Sequence, residues 1–118
     1  MHGIASKLIE IQVQLKFFHW QTKSYARHQA YGMTYDGLDD LIDSFVEVFM
    51  GKYGRVPAMP MKIFNRNEKD VMTFIDETVE FLIGLSNGFD SDKDSDLLNI
   101  RDEMLALFNK LRYLLTLK

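Results

Sequence analysis

The spacing of apolar residues leaves this chain one kind of secondary structure. Ile4, Leu8, Ile11, Leu15 and Phe18 recur at alternating steps of four and three. Leu38, Ile42, Phe45 and Phe49 do the same, as do Leu97, Ile100, Met104, Leu107, Leu111 and Leu114. Val71, Phe74, Ile75, Leu82 and Leu85 share one helical face. A period of 3.6 residues produces these steps; a strand's period of two does not. No stretch alternates in strand fashion. The spacing predicts helices over 3–23, 25–53, 68–86 and 95–117. Both prolines, Pro57 and Pro60, fall in the one long loop, 56–66, where a missing N–H and a fixed φ do least harm.

The boundaries carry matching chemistry. Ser24 and Asn67 stand where side chains accept from the free N–H groups of a helix start. Gly51, Gly54 and Pro57 terminate the second helix, and Asn87 and Gly88 the third. Gly32 and Gly37 run against the pattern, since each costs about 1 kcal/mol relative to alanine inside a helix. Four helices of roughly 20 residues, each about 30 Å long, make an antiparallel four-helix bundle, an all-α fold over the single domain 1–118.

Composition narrows the function. The chain has 118 residues, enough for one core. It has no cysteine, which excludes disulfide scaffolds, Cys-ligated zinc and iron–sulfur clusters. A net charge of −3 without a basic tail argues against binding a nucleic-acid backbone. No apolar run approaches a membrane span of about 18 residues, and residues 1–7 lack the pattern of a signal peptide. The expectation is a cytoplasmic protein with neither nucleic acid nor membrane as partner.

Helix 1 carries a second apolar stripe, Ile9, Val13, Phe17 and Trp20, on the side away from Leu8, Ile11 and Leu15. A surface helix needs one stripe to close its own bundle, so the second predicts a partner copy and hence a homodimer. On helix 2, Asp36, Asp39, Asp43 and Glu47 fall on one side, opposite Leu38, Leu41, Phe45 and Phe49. Taken alone, that stripe reads as a solvated acidic face.

The histidines change the reading. His2 is terminal and is given no role, whereas His19 and His28 flank a reversal near Ser24. An antiparallel hairpin brings the two imidazoles to one level. His28 lies about 22 Å from Asp43 and about 28 Å from Glu47 along a straight helix, so these groups cannot share a metal within one chain. Two copies of helix 2, antiparallel across a two-fold axis, bring His28 of one chain to Asp43 and Glu47 of the other. Mixed imidazole and carboxylate ligation suits iron, manganese or zinc.

The run His19-Trp20, followed by His28, Tyr35, Asp43 and Glu47, resembles the ferroxidase signature of the Dps branch of the ferritin-like superfamily. That signature has a His-Trp pair ending the first helix, a second His opening the next, then Asp-x-x-x-Glu. The likeness covers roughly residues 4–53; the last two helices match only as helices. It implies a ferritin-like bundle and a di-iron site between two-fold-related subunits. His19 and His28 would come from one subunit, and Asp43 and Glu47 from its mate, with Glu47 bridging. Trp20, Tyr35 and Asp39 would stand near the metal. The implied activity is oxidation of Fe(II) by peroxide or oxygen. The chain also resembles small uncharacterised ferritin-like proteins of phages. The rival expectation is a non-catalytic helical homodimer that keeps the ferritin-like fold as an interaction or structural protein.

Two other signals carry less. No Glu precedes a His by three residues, so the Glu-x-x-His centre of an intrachain di-iron bundle is excluded. Asp90, Asp92, Asp94 and Asp96 imitate alternate positions of a calcium loop, but Ser95 and Arg101 occupy the places of its Gly and Glu.

Overall fold

The computed structural model describes residues 3–62 and 66–118. His2 and residues 63–65 of the expected loop lie outside it. The elements are α1 (Gly3–Gln21), α2 (Tyr25–Tyr53), α3 (Val71–Gly84) and α4 (Ser95–Leu114), with 3₁₀ turns at Glu68–Asp70 and Leu85–Gly88 on either side of α3. Among the described residues every element is helical, and none is long and apolar enough to cross a membrane. The long dimension of the molecule, 43 Å, matches the rise of the 29-residue α2.

The helices pack in the order α1, α2, α4, α3 around one core. Leu8, Leu15 and Phe18 of α1 meet Leu38 and Phe45 of α2, Ile75 and Leu82 of α3, and Leu97, Met104 and Phe108 of α4 there, all nearly or wholly buried. Phe18 meets Phe74 edge-on at 5.3 Å, closing the ring of helices between α1 and α3.

Polar contacts fix the direction of each helix. Glu68, just before α3, accepts from Arg27 Nη1 at 2.5 Å and from Tyr31 OH at 3.0 Å, both in the first turns of α2. The heads of α2 and α3 therefore lie at the same end. At the other end Lys52 Nζ donates to Lys93 O at 2.6 Å and reaches Asp96 at 3.2 Å, while Tyr53 OH donates to the Asp94 carboxylate. α4 thus starts where α2 stops. The result is two antiparallel hairpins, α1–α2 and α3–α4, joined by one long crossover. That crossover follows the flank of α1: Met59 N–H donates to Ser6 Oγ at 3.1 Å and Lys62 N–H to Glu10 Oε1 at 2.7 Å.

Helix ends differ from expectation in detail. Ser24 caps α2, its Oγ accepting from Arg27 N–H at 3.2 Å. Gly54 ends α2 at φ 91°, the left-handed region where glycine alone pays no Cβ penalty. Asn67 stands before the 3₁₀ turn but makes no side-chain capping bond; its carbonyl accepts from Asp70 N–H instead. α3 stops at Gly84 and tightens into a 3₁₀ turn, where buried Arg101 reaches over from α4. Its guanidinium donates to Leu82 O and to Ser86 Oγ, both at 2.9 Å, satisfying groups that the helix leaves free.

Candidate metal centre

The α1–α2 hairpin sets His19 in the last turn of α1 and His28 in the first turns of α2. Their rings stack with centroids 3.7 Å apart and planes 18° from parallel. Each Nδ1 lies 2.8 Å from the other residue's backbone oxygen. A carbonyl only accepts, so both Nδ1 atoms carry the proton. In the neutral rings both Nε2 atoms then hold a free lone pair, and no hydrogen bond among the described residues engages them. Imidazoles that bind metals are oriented in this way, by a bond from the second nitrogen to a carbonyl or carboxylate.

Gly32 makes the arrangement possible. A Cβ there would stand 3.1 Å from His19 Cε1 and 3.3 Å from its Nδ1. Gly37 likewise leaves room for Leu107. Both interior glycines of α2 are thus places where another side chain lies on the helix backbone. Sequence reasoning missed the role of Gly32. The available signal was a helix-interior glycine four residues after a histidine, at a position of no turn.

A second cluster, also missed, sits beside the pair. Tyr31 is wholly buried and Glu68 half-buried. Burial works against the Glu68 charge, yet the hydrogen bonds from Tyr31, Arg27 and Thr22 outweigh it and hold the carboxyl below its ordinary range. Burial, with Glu68 as acceptor, pushes the Tyr31 hydroxyl far up.

The remaining expected residues fall into two groups. Asp39 accepts from buried Gln12 Nε2 at 2.7 Å. Half-buried Tyr35 lies under Lys16, whose Nζ is 4.7 Å from the ring centroid. Trp20 is 63% exposed and meets Phe17, itself exposed, edge-on at 5.7 Å. The outer stripe of α1 is therefore not absorbed by its own bundle at its C-terminal end. Asp43 and Glu47 are exposed further along α2, about 22 and 28 Å from His28 by helix rise. The structure brings His19 and His28 together and leaves the two carboxylates apart. Among the described residues of one chain, no group of three or more His, Asp or Glu could hold a metal ion.

The Asp90–Asp96 segment spends its carboxylates locally. Asp90 Oδ1 accepts from the N–H groups of Asp92 and Lys93 at 2.8 Å each, and buried Asp94 accepts from Asp90 N–H at 2.9 Å as well as from Tyr53. These contacts build a turn that opens α4.

A family model described as a family of unknown function, DUF5856, matches residues 19–115. The chain belongs to the DUF5856 family. The match opens at His19 and takes in His28, Asp43 and Glu47. This DUF5856 chain is also similar to an uncharacterised 14.6 kDa protein of Enterobacteria phage T4, from its mobD-ri intergenic region. The two are 30% identical over 111 residues, 94% of this chain and 84% of the phage protein. No solved structure matches the chain.

Proposed function

We propose that this DUF5856 protein is a Dps-like iron-binding homodimer of ferritin-like fold, with a dinuclear metal site completed only between two copies. His19 and His28 of one copy and Asp43 and Glu47 of the other supply the ligands. The observation that carries the reading is the reciprocal anchoring of the two imidazoles, which presents both Nε2 lone pairs to a ligand. The ring planes support two ions rather than one. Each lone pair lies in its ring plane, and nearly parallel rings with centroids 3.7 Å apart do not aim both lone pairs at a single ion at roughly 2.0–2.1 Å. The topology agrees with the reading, since ferritin-like bundles have two hairpins and one long crossover. Iron is the substrate here, and its oxidation by peroxide or oxygen is the activity to be assayed; manganese and zinc suit the same donors.

Trp20 is the only tryptophan and adjoins His19, so it reports on the site. Anaerobic addition of Fe(II) should quench its emission. His28→Ala or Glu47→Ala should weaken that response about ten-fold or more, because loss of an outer-shell partner alone costs 10–100-fold. If Fe(II), Mn(II) and Zn(II) all leave Trp20 emission and thermal stability unchanged, the non-catalytic homodimer replaces the metal reading. The exposed Phe17–Trp20 pair is the feature that favours that alternative.

A further inference from the structure

Two buried polar side chains have no task in the fold. Gln14 of α1 and Thr78 of α3 are 6% and 3% exposed, and neither side chain makes a hydrogen bond among the described residues. Their counterparts in the same bundle do. Buried Gln12 donates to Asp39, and buried Thr34 returns its hydroxyl to Ala30 O on its own helix at 2.8 Å. An unpaired polar group taken out of water carries the cost of its lost hydration, so each such group needs a reason to be there. Among the described residues, no side-chain nitrogen or oxygen that is wholly shut off from solvent lacks a partner. The Gln14 amide and the Thr78 hydroxyl must therefore open onto a space, and both line the same one.

That space is a cavity of about 40 Å³ in the seam between α1 and α3, partly open to solvent. It has room for about three water molecules. Ile11 and Phe74 supply its apolar wall. The crossover meets the seam from both sides: Lys62 N–H donates to Glu10 on α1 at 2.7 Å, and Arg66 Nη2 to Glu77 on α3 at 2.6 Å.

The charges around the cavity do not cancel. Lys7, Lys62 and Arg66 line it against Glu10 and Glu77, and three cations against two carboxylates leave one positive charge. Both carboxylates are engaged, Glu77 by Arg66 and Glu10 by the Lys62 N–H and by Lys7 Nζ at 4.0 Å. The Lys62 ammonium, exposed at the mouth, forms no ion pair among the described residues. A site with a positive balance is thus built into a chain of net charge −3.

We propose that this cavity binds the carboxylate of a small organic acid, with Gln14 and Thr78 donating to its oxygens and Lys62 balancing its charge. Two neutral donors and one unpaired cation match a monoanion that only accepts. Size selects the carboxylate: its three heavy atoms fill the space of about three waters, whereas the five atoms of a phosphate do not fit. The open side lets the rest of the acid point to solvent. The site shares no residue with the metal centre, so its test stands apart from that reading.

The test uses the full chain without added metal and sodium acetate as the probe. In nitrogen–proton correlation spectra at constant ionic strength, acetate should shift the Gln14 side-chain NH₂ pair and the Thr78 amide saturably, while chloride leaves them in place. Lys62→Gln should weaken acetate binding about ten-fold or more, the worth of a hydrogen bond to a charged group. Lys110→Gln, an exposed lysine elsewhere, should leave it unchanged. Gln14→Leu, close to glutamine in shape, should abolish it. Should that buried variant fail to fold, the wild-type titration and the exposed Lys62→Gln still decide. Equal shifts with acetate and chloride, or acetate binding indifferent to Lys62→Gln, would mean that the cavity holds water only and would overturn the proposal. Inorganic phosphate binding more tightly than acetate at the same two residues would overturn the carboxylate assignment.

Discussion

At Gly32 two effects of similar size oppose each other. Alanine there would gain about 1 kcal/mol of helix propensity. Its methyl group would press on the His19 ring at 3.1 Å, and that ring cannot yield without stretching its 2.8 Å bond to His28 O or breaking the 3.7 Å stack. Overpacking of this kind costs about 1–3 kcal/mol. Gly32→Ala should therefore lower stability by about 1 kcal/mol net in urea unfolding, despite being the better helix former. A more stable variant would mean that the ring has room and is not held. The histidines themselves were legible, since a hairpin reversing at Ser24 must bring His19 and His28 to one level. Gly32 was not, because its reason lies on another helix, and a one-dimensional pattern registers only the propensity it forfeits.

Among the elements, the start of α3 depends on a carboxylate that must stay charged. The Glu68 pKa lies below its ordinary value of 4.5 in the folded chain, because hydrogen bonds from Tyr31, Arg27 and Thr22 outweigh burial. A lowered folded pKa contributes stability that is present above the unfolded value and is lost as pH falls through the folded one. Asp90 and Asp94 act in the same sense, through backbone hydrogen bonds at the first and chiefly the Tyr53 hydroxyl at the second. The melting temperature should thus hold from pH 7 to about 5 and decline below. Glu68→Gln should cost about 1.5–3 kcal/mol at neutral pH, the worth of hydrogen bonds to a charged group, and should flatten part of that acid decline. An acid limb of unchanged slope would show that the network carries no linkage. The four helices were readable because steps of four and three survive any packing. The 3₁₀ turn that follows α3 was not, since tightening from i+4 to i+3 is decided by what caps the end, here Arg101 from α4. Asp43 and Glu47 could be assigned to one exposed stripe, and their distance from His28, about 22 and 28 Å by helix rise, already showed that they do not share a metal with it within one chain.

Seen whole, the molecule is acidic, with its outward α2 face lined by Asp36, Asp40, Asp43 and Glu47. It should not retard duplex DNA at physiological salt, because that interaction is supplied by cations released from the phosphate backbone; a salt-sensitive gel shift would reveal a basic surface elsewhere. The crossover has a different consequence. Fourteen residues, 54–67, join the foot of α2 to the turn holding Glu68, which is clasped by Arg27 at the head of α2. Arg27 and Tyr53 are about 39 Å apart along the helix, and a chain of that length reaches at most about 50 Å. The connection is a tether with only a few residues of slack, and tolerance to length should be asymmetric. Added residues cost little, since doubling a loop costs about 0.6 kcal/mol. Removing four or five draws the line taut, and the second hairpin must then slide down the first until Glu68 leaves its clasp: the strap works as a ruler that measures one hairpin against the other.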